Sequence, residues 1–120
     1  MAKVYLDTNY FIDIIKRDKN KYTPLSGHLV YVSPLSFHIS FYALKLKTPN
    51  FSILKIIDEL VVIDLNKAIL SRALQGPTND LEDNLQLQSA VESNCDIFLT
   101  RDKELLKMGY FGKTKISSNL

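Results

Sequence analysis

The sequence predicts a three-layer α/β/α domain with a central, mostly parallel sheet of about five strands. Three observations support this. Four short runs are apolar throughout instead of alternating, the mark of strands covered on both faces. Segments with helical spacing of apolar residues separate them. The length, 120 residues, suits one domain spanning 1–120.

Val4-Tyr5-Leu6 is the first predicted strand and ends at Asp7. Asn9 to about Arg17 follows as a helix, with Phe11, Ile12, Ile14 and Ile15 apolar and basic residues at its end, where cations suit the dipole. Leu29-Val30-Tyr31-Val32 is the second strand. Ser33-Pro34 opens the next helix, running to Lys45, with proline acceptable in the first turn. Phe51 to about Glu59 is helical, and Leu60-Val61-Val62-Ile63 is the third strand. Asn66 to Gln75 is helical until Gly76-Pro77-Thr78 breaks it. Leu81 to Ser93 forms a helix with Leu87, Ala90 and Val91 on one face, and Ile97-Phe98-Leu99 is the fourth strand. Lys103 to Met108 is a short helix, and Thr114 to Ser117 is a fifth, edge strand.

Composition narrows the class. Hydrophobic residues make up 46% and charged residues 23%, enough for a core. A net charge of +2 is too small to announce a nucleic-acid binder. One cysteine, Cys95, excludes an internal disulfide and suits a reducing compartment. No apolar run approaches the ~20 residues of a membrane span. The start, MAKVYLDTNYF, lacks a signal peptide's apolar segment. The expectation is a cytoplasmic protein without membrane contact.

In parallel α/β sheets, ligands bind outside the carboxyl ends of the strands. Asp7 and Asp102 follow the first and fourth strands, so the rule sends both to one edge. The helix before the fourth strand brings Asp80, Glu82 and Asp83 to the same edge. Each acid has a structural explanation by itself. Asn79 with Glu82, or Asp80 with Asp83, reads as a capping pair. Asp7 and Asp102 can cap the helices that follow them, with Arg101 as an ion partner for Asp102. Together, converging carboxylates repel one another unless a cation joins them. Oxygen-only ligation suits Mg²⁺ or Mn²⁺, and metal-assisted phosphodiester hydrolysis is the chemistry such a site performs.

VYLDTNYFIDII, DLEDNLQLQSAVE and CDIFLTRDKELL, in this order, resemble the three acidic motifs of PIN-domain nucleases, especially VapC-type toxins of toxin–antitoxin modules. The resemblance covers essentially the whole chain. It implies a PIN-like fold and a Mg²⁺- or Mn²⁺-dependent endoribonuclease with Asp7, Asp83 and Asp102 as catalytic metal ligands. Asn9 and Thr100 match polar positions that support the acids by hydrogen bonds. Asp80, one turn before Asp83, is an auxiliary acid; Glu82, about 100° round the helix from Asp83, is assigned to solvent or to the cap. The resemblance also implies an RNA substrate, an antitoxin protein partner and a homodimer.

One departure stands out. The family carries a glutamate on the helix after the second strand, in a pattern Ser-x-x-x-x-x-Glu. Here SPLSFHISFYALKLK holds no acid, and His38 is the nearest polar candidate. Imidazole there either approaches the metal site, favouring Mn²⁺, or fills the vacated space. The alternative function is therefore a weakened or inactive PIN-like module that binds RNA or protein. Asp64 after the third strand suggests a receiver phosphoacceptor, but that needs an acidic pair after the first strand and LDTNY has one acid. A haloacid-dehalogenase-type phosphatase needs a second Asp where the chain has Asn9. Lys16, Arg17, Lys19 and Lys21 form one basic cluster, and Lys45 with Lys47 another. They are solvated helix ends or, beside the site, phosphate contacts. Tyr10 and Tyr42 are either packed or stacked on bases.

Overall fold

The computed structural model describes residues 1–16 and 25–120. Its described elements, in chain order, are β1 (Lys3–Leu6), α1 (Thr8–Lys16), β2 (Leu29–Val32), α2 (Pro34–Leu44), α3 (Phe51–Ile57) and β3 (Val61–Val62). They continue with α4 (Lys67–Ala73), α5 (Leu81–Glu92), β4 (Ile97–Leu99), α6 (Lys103–Met108), β5 (Tyr110–Phe111) and β6 (Thr114–Ser117). The sheet runs β3-β2-β1-β4-β6-β5. All neighbours are parallel except β5 and β6. The fold is the α/β/α arrangement read from the sequence, with six strands among the described residues instead of about five.

The additional strand comes from a hairpin. Tyr110 pairs with Lys115 and Phe111 with Thr114, leaving Gly112-Lys113 as the turn. Gly112 has φ +61°, which a tight hairpin turn needs and glycine adopts without strain. Thr114–Ser117 is thus one strand in from the edge. A two-residue strand is too short to show a period in the sequence. The third strand is shorter than Leu60–Ile63, although Ile63 N still donates to Val32 O at 2.9 Å.

Alternation along the strands builds two cores. Val4, Leu6, Val30, Val32 and Leu99 face one way and pack with Phe11 and Ile14 of α1. Phe37 of α2 meets Phe11 edge-on at 4.9 Å between ring centroids. On the other face Tyr5, Tyr31, Phe98 and Ile116 pack with Leu87 and Ala90 of α5 and Leu105 of α6. Helices α2 to α6 each open on a Ser, Asn or Asp whose side chain accepts a first-turn amide: Ser33, Asn50, Asn66, Asp80 and Asp102.

The strand order places the site. From β1 the chain winds outward through β2 to β3, then crosses back to lay β4 on the other side of β1. The switch point therefore lies between the carboxyl ends of β1 and β4, where a crevice opens in folds of this kind. Asp7 follows one of these strands and Thr100-Arg101-Asp102 the other. The register keeps them level, with Leu6 opposite Leu99 and Asp7 N donating to Leu99 O at 3.0 Å.

Phe98 is fully buried and stacks on Tyr5 with ring centroids 5.4 Å apart and planes 7° from parallel. Phe98→Ala leaves a cavity beside the switch point and is expected to cost about 3–5 kcal/mol, read as a lowered urea midpoint at unchanged slope. A loss below about 1 kcal/mol would mean that this face of the sheet is not the packed core described.

Candidate active site

Asp7 is buried, with 5% of its surface exposed, and both its oxygens have donors. Thr8 N donates to Oδ1 at 2.8 Å, and Thr100 Oγ1 donates to Oδ2 at 2.7 Å. The peptide oxygen of Asp7 accepts Phe11 N, so the same residue starts α1. Burial pushes the carboxyl pKa up against the two hydrogen bonds that lower it, and Asp102 and Asp80 push it up further. Thr100 joins two of the acids: its hydroxyl donates to Asp7 and accepts Asp102 N at 3.0 Å.

Asp102 caps α6. Its Oδ1 accepts Glu104 N at 2.8 Å and Leu105 N at 3.2 Å. Across a cleft of about 640 Å³, Asp80 caps α5 by accepting Asp83 N on Oδ1 at 3.1 Å. The α5 cap is therefore Asp80 with Asp83, not Asn79 with Glu82. Asp80, Asp83 and Asp102 all line this cleft. Asn84 secures the loop that enters it: Oδ1 accepts Thr78 N and Oγ1, while Nδ2 donates to the carbonyls of Ala73 and Thr78.

The electrostatics tie the acids together. Asp83 is raised to about 7, first by burial, then by Asp80, Asp7, Asp102 and Glu82 in turn. Glu82 is half-buried, and its carboxyl is pushed up by burial, Asp7 and Asp80. Asp80, not Glu82, makes the cap, and Glu82 is only partly open to solvent.

Other sequence candidates fall elsewhere. His38 is exposed, about 200° round α2 from the buried Ser36. Among the described residues it makes no hydrogen bond or ion pair with the acids, and it does not stand at the glutamate's place in the pattern. Counting six residues from Ser33, that place falls on the half-buried Ile39. Asn9 is exposed, and among the described residues its side chain makes no hydrogen bond to the acids; the support comes from Thr8 and Thr100. Arg101 pairs with Asp13 of α1 instead of Asp102, and its guanidinium covers the Tyr10 ring at 5.4 Å. Exposed Lys45 and Lys47 lie beyond the far end of α2, about 16 Å of helix from Ser33. Arg17, Lys19 and Lys21 lie outside the described residues.

Sequence reasoning missed a buried polar group beside Asp7. Tyr5 OH donates to Gln86 Oε1, and Gln86 Nε2 donates to Thr8 Oγ1 at 2.8 Å and Ser36 Oγ at 3.3 Å. The available signal was the i+3 spacing that puts Gln86 on the Asp83 face of α5.

Among the described residues, no three His, Cys, Asp or Glu side chains close around one point as a ready-made metal cage. The carboxylates form an open cluster whose leading influences at Asp83 are burial and one another. In chemical type, an all-oxygen donor set with excess negative charge suits a hard divalent cation.

No family model and no curated protein matches the chain. Among solved structures, it resembles a chain from the crystal structure of VapBC2 from Rickettsia felis bound to a DNA fragment from their promoter. The TM-score is 0.69 at 17% identity, covering 96% of this chain and 97% of that one. At this identity the likeness is one of fold alone.

The raised carboxyls set a pH dependence. Asp83 titrates near 7 when folded and near the ordinary ~4 when unfolded. Between these values the folded chain binds more protons, so stability falls as pH rises. Asp7 and Glu82, also raised, act in the same direction. Without added divalent cations, the melting temperature is expected to drop from about pH 5 to about pH 8, and Asp83→Asn to flatten the drop. Equal slopes for the two proteins would show that burial and the neighbouring acids do not raise the Asp83 carboxyl.

Proposed function

We propose that the chain is a divalent-metal-dependent endoribonuclease acting through Asp7, Asp83 and Asp102, and that it is the toxin of a toxin–antitoxin pair. The observation that supports it best is the convergence of these carboxylates, with Asp80 and Glu82, on the switch point of the sheet. Like charges gathered at a ligand-binding edge are stable only if protons or a cation offset them. Asp7 offers a carboxylate fixed in orientation by Thr8 and Thr100. Asp80 and Asp102 each use Oδ1 for a helix cap, which leaves Oδ2 outside the cap. Mg²⁺ or Mn²⁺ held there would polarise a phosphodiester and activate water for attack. Water is the proposed nucleophile, because the Thr100 hydroxyl is committed to Asp7.

The substrate proposed is single-stranded or structured RNA. An antitoxin and a second copy of the chain are the proposed partners. The neighbouring fold was solved as a VapBC2 complex. Exposed apolar residues on α3 (Phe51, Leu54, Ile57) and on α4 and its C-cap (Leu70, Leu74) give this chain surface suited to protein contact. A second reading, a PIN-like binding module without efficient hydrolysis, draws on Ile39 where the family pattern has its glutamate.

Purified protein is expected to cleave RNA with Mg²⁺ or Mn²⁺ and not with EDTA. Millimolar Mn²⁺ should raise the melting temperature, since binding to the native state stabilises it. Asp7→Asn should abolish both effects, and Asp83→Asn should abolish cleavage. Cleavage that persists in EDTA would sink the metal mechanism. Metal binding without cleavage would favour the binding module.

A further inference from the structure

Gln86 has no surface exposed, and neither do Tyr5 and Ser36; Thr8 has 2%. Their polar atoms saturate one another. The Gln86 carbonyl takes the Tyr5 hydroxyl, and its amide serves Thr8 and Ser36. The last two hydroxyls lie 3.1 Å apart. Four elements meet here: β1, α1, α2 and α5. Burying so many polar groups costs desolvation that an apolar cluster of equal volume avoids. Leu87 and Ala90 already supply apolar packing for α5.

The connections show what a polar cluster does that an apolar one cannot. Thr8 is held by Gln86 through its hydroxyl while its backbone N–H holds Asp7 Oδ1. Gln86 sits three residues after Asp83, on the same side of α5. One end of the network thus grips the carrier of Asp83, and the other sets the orientation of the Asp7 carboxylate. On α2, the contact is the neutral Ser36 hydroxyl.

We infer that Gln86 and Thr8 are positioning residues that hold Asp7 and Asp83 in mutual register through a neutral hydrogen-bond network, which occupies the α2 side of the site. The inference rests on the metal-site reading above. The network touches neither metal nor substrate and acts through Thr8 N on Asp7.

The test measures Mn²⁺ affinity by calorimetric titration, with RNA cleavage in parallel. Thr8→Val removes the hydroxyl and keeps the backbone donor; Gln86→Leu removes the amide. Both are expected to bind Mn²⁺ roughly 10- to 100-fold more weakly, the effect of losing a group that orients a metal ligand. Thr8→Ser restores the hydroxyl and is expected to restore affinity. Ile69→Val, in the buried face of α4 outside the network, lowers stability and leaves affinity unchanged. If Gln86→Leu does not fold, Thr8→Val and Ser36→Ala carry the test, since each deletes one hydroxyl. Wild-type affinity in both would overturn the inference. Asp7→Asn separates the two readings: binding lost there but intact in Thr8→Val sinks positioning alone. A wild-type chain that binds no Mn²⁺ sinks the metal site and this inference with it.

Discussion

The Asp7 carboxylate, buried at the end of a fully apolar strand, is the constraint around which the site is built. A charge in that place costs several kcal/mol unless it is hydrogen-bonded or neutralised. The surrounding structure answers with two donors, one on each oxygen. Each donor belongs to a segment that must itself be placed. Thr8 opens α1, and Thr100 ends β4 and turns the chain toward α6. Register between β1 and β4, the start of α1 and the loop to Asp102 are therefore coupled through one carboxylate. Its pKa is nevertheless raised, because burial and the other acids outweigh the two hydrogen bonds.

Helix capping and site chemistry have been set against each other as explanations of these acids, and the geometry makes them compatible. A cap needs one oxygen within reach of a first-turn amide. Asp80 and Asp102 both cap through Oδ1 alone. The cap then serves to hold the carboxylate still at the rim of the cleft. Asp83 differs: it caps nothing, is half-buried, and is raised to about 7 by burial and by the acids around it.

What could be read from the sequence was whatever local pattern determines. Val4-Tyr5-Leu6 and Ile97-Phe98-Leu99 are apolar on both faces because the sheet is covered on both sides, and the acids after them inherit their place from the strand ends. The side-chain contacts were not legible, because they depend on register between distant segments. Gln86 meets Thr8 across 78 residues and Tyr5 across 81. Arg101 finds Asp13, not its neighbour Asp102, because α1 passes beside the β4 turn. His38 was singled out for its chemistry, yet helical phase turns it outward while Ser36 and Ser40 turn in. Counted from Ser33, the glutamate of the family pattern falls on the apolar Ile39, and α2 carries no acid.

That absence changes the charge balance. On the proposed reading, a glutamate on α2 would add a carboxylate to a site where Asp7, Glu82 and Asp83 are already raised by burial and by neighbouring acids. The contact α2 makes there is the neutral Ser36 hydroxyl of the Tyr5–Gln86–Thr8–Ser36 network, which adds no repulsion. If the site holds a cation as proposed, fewer acids mean weaker attraction for it, and the remaining carboxylates must be better oriented to hold it. Fixed orientation of Asp7 and fixed distance to α5 are what the neutral network supplies. The missing glutamate and the buried glutamine thus read as two sides of one arrangement, in which charge is traded for rigidity.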